Sequence, residues 1–84
     1  MMIENLPKLS LARPATYQIK VLGHLNQSLE DRHSEMALTV HCLGDGLLVS
    51  TLTGTIDQAA LHGLLRRFYS LGLPLISIVC LEVT

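Results

Sequence analysis

Tryptophan is absent from these 84 residues, and the aromatic complement is one phenylalanine and two tyrosines. Cations are few: six Lys and Arg stand against seven Asp and Glu, for a formal charge of −1. They form no basic stripe. Such a surface neutralises too few phosphates to hold a nucleic-acid backbone, so no nucleic-acid partner is expected. The apolar runs break well before the roughly 20 residues a membrane-crossing helix needs. The opening Met1-Met2-Ile3-Glu4-Asn5-Leu6-Pro7 lacks the basic and apolar regions of an export signal. The expectation is therefore a cytoplasmic protein with no membrane partner. Only two cysteines occur, Cys42 and Cys80, both in apolar, strand-like segments. In a reducing compartment they read as buried thiols rather than a structural disulfide. No Cys-x-x-Cys, His-x-x-x-His or Gly-x-Ser-x-Gly spacing is present, so no metal, no cofactor and no catalytic residue is identified.

Apolar residues are not scarce. They make up 49% of the chain, and only 15% is charged. One small domain hides that much apolar surface with difficulty. A second subunit covering the surplus is the economical explanation, so the chain itself, as a homodimer or higher oligomer, is the first expected partner.

The chain is organised around Thr55–Gly72, the only long helical pattern. Leu61, Leu64, Leu65, Phe68 and Leu71 recur at three- and four-residue steps and form one apolar stripe. Thr55 is placed as N-cap, with Gln58 completing a capping box. Gly72 is placed as the left-handed residue after the helix, and Pro74 prevents continuation. Gly63, inside the helix, is read as a close approach to a sheet, with ligand or partner contact as the alternative.

Four segments have strand character. Thr16–Leu25 alternates Tyr17, Ile19 and Val21 with Gln18 and Lys20. Glu35–Leu43 alternates Met36, Leu38, Val40 and Cys42 with Ala37, Thr39 and His41. Gly44-Asp45-Gly46 marks a tight turn into a third strand, Leu47–Thr53. Leu75–Val83 is apolar on both sides, which implies burial inside a sheet or at an interface. The order β-β-β-α-β defines an α+β fold: a four-stranded, mostly antiparallel sheet with one long helix on one face. The first three strands are expected to form a meander. The fourth should lie beside the first, parallel to strands one and three, in the order 4-1-2-3. The other sheet face is expected to carry Leu and Ile. Residues 1–15 form an N-terminal arm that lies over the body or over a neighbour, or frays. Residues 16–84 form a single α+β domain.

The segments Tyr17-x-Ile19-x-Val21-x-Gly23-x-Leu25, Thr51-x-Thr53-Gly54, Asp57-Gln58-Ala59-Ala60-Leu61-His62-Gly63-Leu64-Leu65 and Leu71-Gly72-Leu73-Pro74-Leu75-Ile76-Ser77 resemble a group of small uncharacterised bacterial proteins. The resemblance spans about residues 16–80. It implies a compact domain and brings no catalytic residue with it.

Function is read only coarsely. Gln58, His62 and Arg66 stand at i, i+4 and i+8 and make a polar ridge suited to an anionic ligand, or else a solvated face. Arg66-Arg67 is an end-of-helix cation pair. His24 and His41 share a sheet face only if strands one and two pair, and Cys42 points away from both. Glu30, Asp31 and Glu35 lie in a charged loop without a pocket. No reaction emerges. The reading is a protein of unknown function: a small homo-oligomeric structural or protein-interaction module, with another protein as a further expected partner and its interface on Leu75, Ser77, Val79 and Leu81. The alternative is a small-molecule binder with an anion site near the helix.

Overall fold

The computed structural model describes residues 9–25 and 36–83. The first part of the arm and the loop carrying Glu30, Asp31 and Glu35 lie outside the described residues. The elements are β1 (Ala15–Leu22), β2 (Met36–Cys42), β3 (Leu48–Ile56), α1 (Gln58–Ser70) and β4 (Leu75–Val83). They form one four-stranded sheet in the order β2-β3-β1-β4, every neighbouring pair antiparallel. The β-β-β-α-β, α+β fold class is as expected.

The strand order is not. The first three strands are no meander: β3 lies between β1 and β2 and pairs with both. The reason is burial. β3 hides Val49, Ser50, Thr51, Leu52 and Ile56, whereas β2 exposes most of its length beyond Met36. β3 thus has a strand on each side, and β2 is left at the edge. β4 lies beside β1 as expected, but antiparallel to it. It shares its direction with β3 and is separated from it by β1, which makes β3-α1-β4 a split β-α-β unit.

In β1 the burial alternates strictly, with Ala15, Tyr17, Ile19 and Val21 inward. These meet Leu52 and Ile56 of β3, Met36 of β2, Cys80 of β4 and the helix residues Leu61, Leu64 and Phe68 in one core. The opposite face carries Thr16, Gln18 and Lys20 from β1, paired with Thr55, Thr53 and Thr51 of β3. The hydroxyls of Thr16 and Thr55 lie 2.9 Å apart. This polar face corrects the expectation of Leu and Ile there; the apolar surplus sits elsewhere.

The helix starts later than expected. β3 continues through Gly54 and Thr55 to Ile56, and the Thr55 hydroxyl is engaged across the sheet. Asp57 is the N-cap instead; its Oδ1 accepts the Ala60 N–H at 2.8 Å. The Gln58 backbone N–H donates to Leu11 C=O at 3.2 Å, and Leu9 packs against the core. Residues 9–14 of the arm thus lie over the body. At the other end Gly72 has φ +74. The Leu73 N–H donates to Phe68 C=O and the Gly72 N–H to Tyr69 C=O, each at 3.0 Å. This paired pattern is a Schellman motif and satisfies carbonyls the helix end would leave open. Leu71 becomes the C-cap and is exposed rather than part of the buried stripe.

Gly63 does not approach the sheet. It lies on the exposed side of α1, and a Cβ built there meets nothing within 4 Å. Gly63→Ala should therefore stabilise the fold by about 1 kcal/mol, the helix-propensity difference alone. A urea titration reads this as a higher midpoint at unchanged slope. A lowered midpoint would show that something presses on this side of the helix.

Candidate interaction surface

The sequence-predicted polar ridge is split by the structure. The Gln58 side chain turns toward the core, and its Nε2 donates to the hydroxyl of buried Tyr17 at 3.3 Å. His62 and Arg66 project from the exposed side of the helix. His24 lies beyond the end of β1, and His41 is opposite Val49 of β3. β3 therefore separates β1 from the strand that carries His41, so the register needed to bring the two imidazoles together does not form. Among the described residues no three of His, Cys, Asp and Glu are grouped so as to hold a metal ion.

The cysteines occupy opposite edges of the sheet, and no disulfide joins them. Cys80 is buried, but Cys42 is exposed, contrary to expectation. It ends the edge strand β2, which is mostly exposed beyond Met36.

Concavity appears one turn further along α1. Leu65, Phe68 and Tyr69 of the helix face Leu73, Pro74 and Leu75 across an apolar hollow of about 250 Å³. The Schellman turn builds it, since it bends the chain back so that Leu73 meets Phe68. Gly23 supports the same corner. It has φ +115, and a Cβ there would stand 2.9 Å from Leu73 Cδ2. Tyr69 is 87% exposed and forms the outer wall.

The hollow opens onto β4, one of the two sheet edges. β4 is nine residues long, and its outer side pairs with no described strand. Of the expected interface residues, Leu75 is 50% and Leu81 53% exposed, while Ser77 and Val79 are half-buried. Ile76 is 50% exposed as well. Irregularities in the β1–β4 register skip Ile76 and Leu81, so these two bulge from the ladder at either end of a regular stretch, Ser77–Cys80. Tyr69, Leu75, Ile76 and Leu81 therefore bring large apolar side chains to one side of the molecule. The other edge, β2, exposes Ala37, Thr39, Val40, His41 and Cys42, and Leu43 and Leu47 are exposed in the turn that follows it.

Sequence reasoning missed the hollow. The available signal was Leu65 one turn before Tyr69, followed by Leu73-Pro74-Leu75 directly after the helix stop.

Fold and surface together define an α+β domain with an open, apolar sheet edge and, among the described residues, no helix long and apolar enough to cross a membrane. The chain belongs to the family described as a domain of unknown function, DUF8691, which matches residues 16–79, from β1 into β4. No curated protein and no solved structure matches it.

Proposed function

We propose that the protein is a small interaction module that works by self-association through the β4 edge. The observation that carries the reading is β4 itself: nine residues long, unpaired on one side among the described residues, with Leu75, Ile76 and Leu81 about half exposed. An exposed apolar edge is an aggregation hazard unless something pairs with it. Strand addition satisfies the backbone groups and buries the side chains in one step. The helix-flank hollow beside Leu75 extends the apolar surface and gives an anchoring side chain a seat.

Native mass spectrometry and size-exclusion chromatography with light scattering test this. The wild type should be a dimer or a larger closed assembly. Val79→Glu places a carboxylate at the middle of the edge and should yield a smaller, folded species. If that variant keeps the wild-type mass and solubility, β4 is not the contact surface. The ridge reading for an anionic ligand has less support: Gln58 is committed to Tyr17, and the hollow is lined by apolar side chains.

A further inference from the structure

We infer that the occupant of the β4 edge is a second copy of this chain, in an antiparallel, two-fold β4–β4 pairing tied by Lys20 of each copy and Glu82 of the other. This rests on the self-association reading and adds to it a register and an ion pair.

Four features point this way. The first is the distribution of apolar side chains along the edge. Leu75 and Ile76 are exposed at the start of β4, and Leu81 near its end. An antiparallel copy lays its end against the other's start, so Leu81 of the second copy comes beside the exposed Leu75 and Ile76. A parallel partner would set like ends together and keep Leu81 away from Leu75 and Ile76.

The second is the face each residue occupies. Lys20 pairs with Ser77, and Thr16 pairs with Glu82. Lys20 and Thr16 are both on the polar side of β1, so Ser77 and Glu82 share that side too. Strict alternation would have put Glu82 on the helix side. The register shift that skips Leu81 is what keeps it with Ser77 and Val79.

The third is distance. With the two-fold axis at Val79, the middle residue of Leu75–Val83, Ser77 lies opposite Leu81 of the second copy and Glu82 follows directly. Lys20 is one strand further in, so its backbone and that of the second copy's Glu82 are about two strand spacings, roughly 10 Å, apart. Ser77, directly beside Lys20, has a short side chain that lets the four-carbon stem of Lys20 pass over it toward the second copy.

The fourth is charge. Glu82 is the one charged residue of β4, and Lys20 the one charged residue of β1. Within one chain they lie at different levels of the sheet, Lys20 beside Ser77 and Glu82 beside Thr16. Two-fold pairing brings them within one residue of the same level, and symmetry makes the contact twice. An isologous interface is self-complementary in this way.

The test is a charge-reversal cycle on the full chain, with dimer dissociation followed by sedimentation equilibrium at low and at high salt. Lys20→Glu and Glu82→Lys should each weaken the dimer about tenfold, because each reversal turns two attractive contacts into repulsive ones. The double variant should return to within about twofold of wild type. High salt should shrink both single effects. Circular dichroism melts of the four proteins keep folding separate from association.

The outcomes distinguish the two proposals. A wild-type monomer at every concentration overturns both. A wild-type dimer that Val79→Glu breaks, but whose single reversals have no effect or whose double variant stays weak, overturns the Lys20–Glu82 register and leaves self-association through β4 standing.

Discussion

Phe68→Ala should lose about 3–5 kcal/mol of stability, the usual cost of removing a buried phenylalanine. Phe68 is the only phenylalanine and 2% exposed, and it is among the largest fully buried side chains. It packs within the cluster formed by β1, β3 and α1, and it also floors the hollow beside Tyr69 and Leu73. Truncation therefore removes apolar contact on two sides at once. Collapse is hindered, because the Schellman turn fixes Leu73 and Gly72 relative to the Phe68 carbonyl. A domain of this size commonly has a total stability near the lower end of about 5–15 kcal/mol. The expected result is a protein largely unfolded at 37 °C, seen as a urea midpoint close to zero and lost far-UV signal. Phe68→Leu, which keeps more of the volume, should retain a cooperative transition. If alanine costs less than about 1 kcal/mol, the core described around Phe68 is not the one that holds the fold.

Local signals in the chain translated well into structure. Alternation in Tyr17-Gln18-Ile19-Lys20-Val21 gives β1, and Gly44-Asp45-Gly46 gives the β2–β3 turn, closed by Leu43 N–H to Leu47 C=O and Leu47 N–H to Gly44 C=O. Gly72-Leu73-Pro74 gives the helix stop, and Leu75–Val83 gives β4 with the expected bounds. Each depends on residues a few positions apart. What failed was non-local. Thr55 has the chemistry of an N-cap, but its hydroxyl is drawn to Thr16, 39 positions away, and the cap falls to Asp57. Gly63 looked like a packing glycine, yet which side of a helix meets the sheet depends on how the whole helix lies across it. The interior position of β3 follows from competition between β2 and β3 for the covered centre of the sheet, and neither strand's own pattern reports the other's. The same limit hid the hollow. Its two walls come from α1 and from the β4 approach, and only the turn between them brings them face to face.

Ser50 shows this limit most sharply, and Ser50→Ala should cost about 1–3 kcal/mol. In the sequence it is one small polar residue within Leu-Leu-Val-Ser-Thr-Leu-Thr. In the structure it is fully buried, on central strand β3 opposite Val21. Its Oγ donates to Gly23 C=O at 2.7 Å and accepts the Leu25 N–H at 2.9 Å. One hydroxyl thus satisfies both an acceptor and a donor in the bend that leaves β1. Alanine fills nearly the same space, so packing changes little. The cost comes from leaving the buried Leu25 N–H without an acceptor and the Gly23 carbonyl without this donor. That origin gives a local signature. Hydrogen exchange at the Leu25 amide should accelerate by more than at the amides of β1 and β3, and Leu25, which is 1% exposed, should loosen from the core. Replacement of the half-buried Thr16 by valine provides the contrast. It also removes a hydroxyl contact, but beside an open face where water can substitute, so its cost should be well below that of Ser50→Ala. Equal losses at the two positions would mean that the Ser50 clamp does not hold the bend. The unequal result would locate the register of β1 against β3 in a single buried hydroxyl and, through Gly23 and its contact with Leu73, link it to the corner that shapes the start of β4.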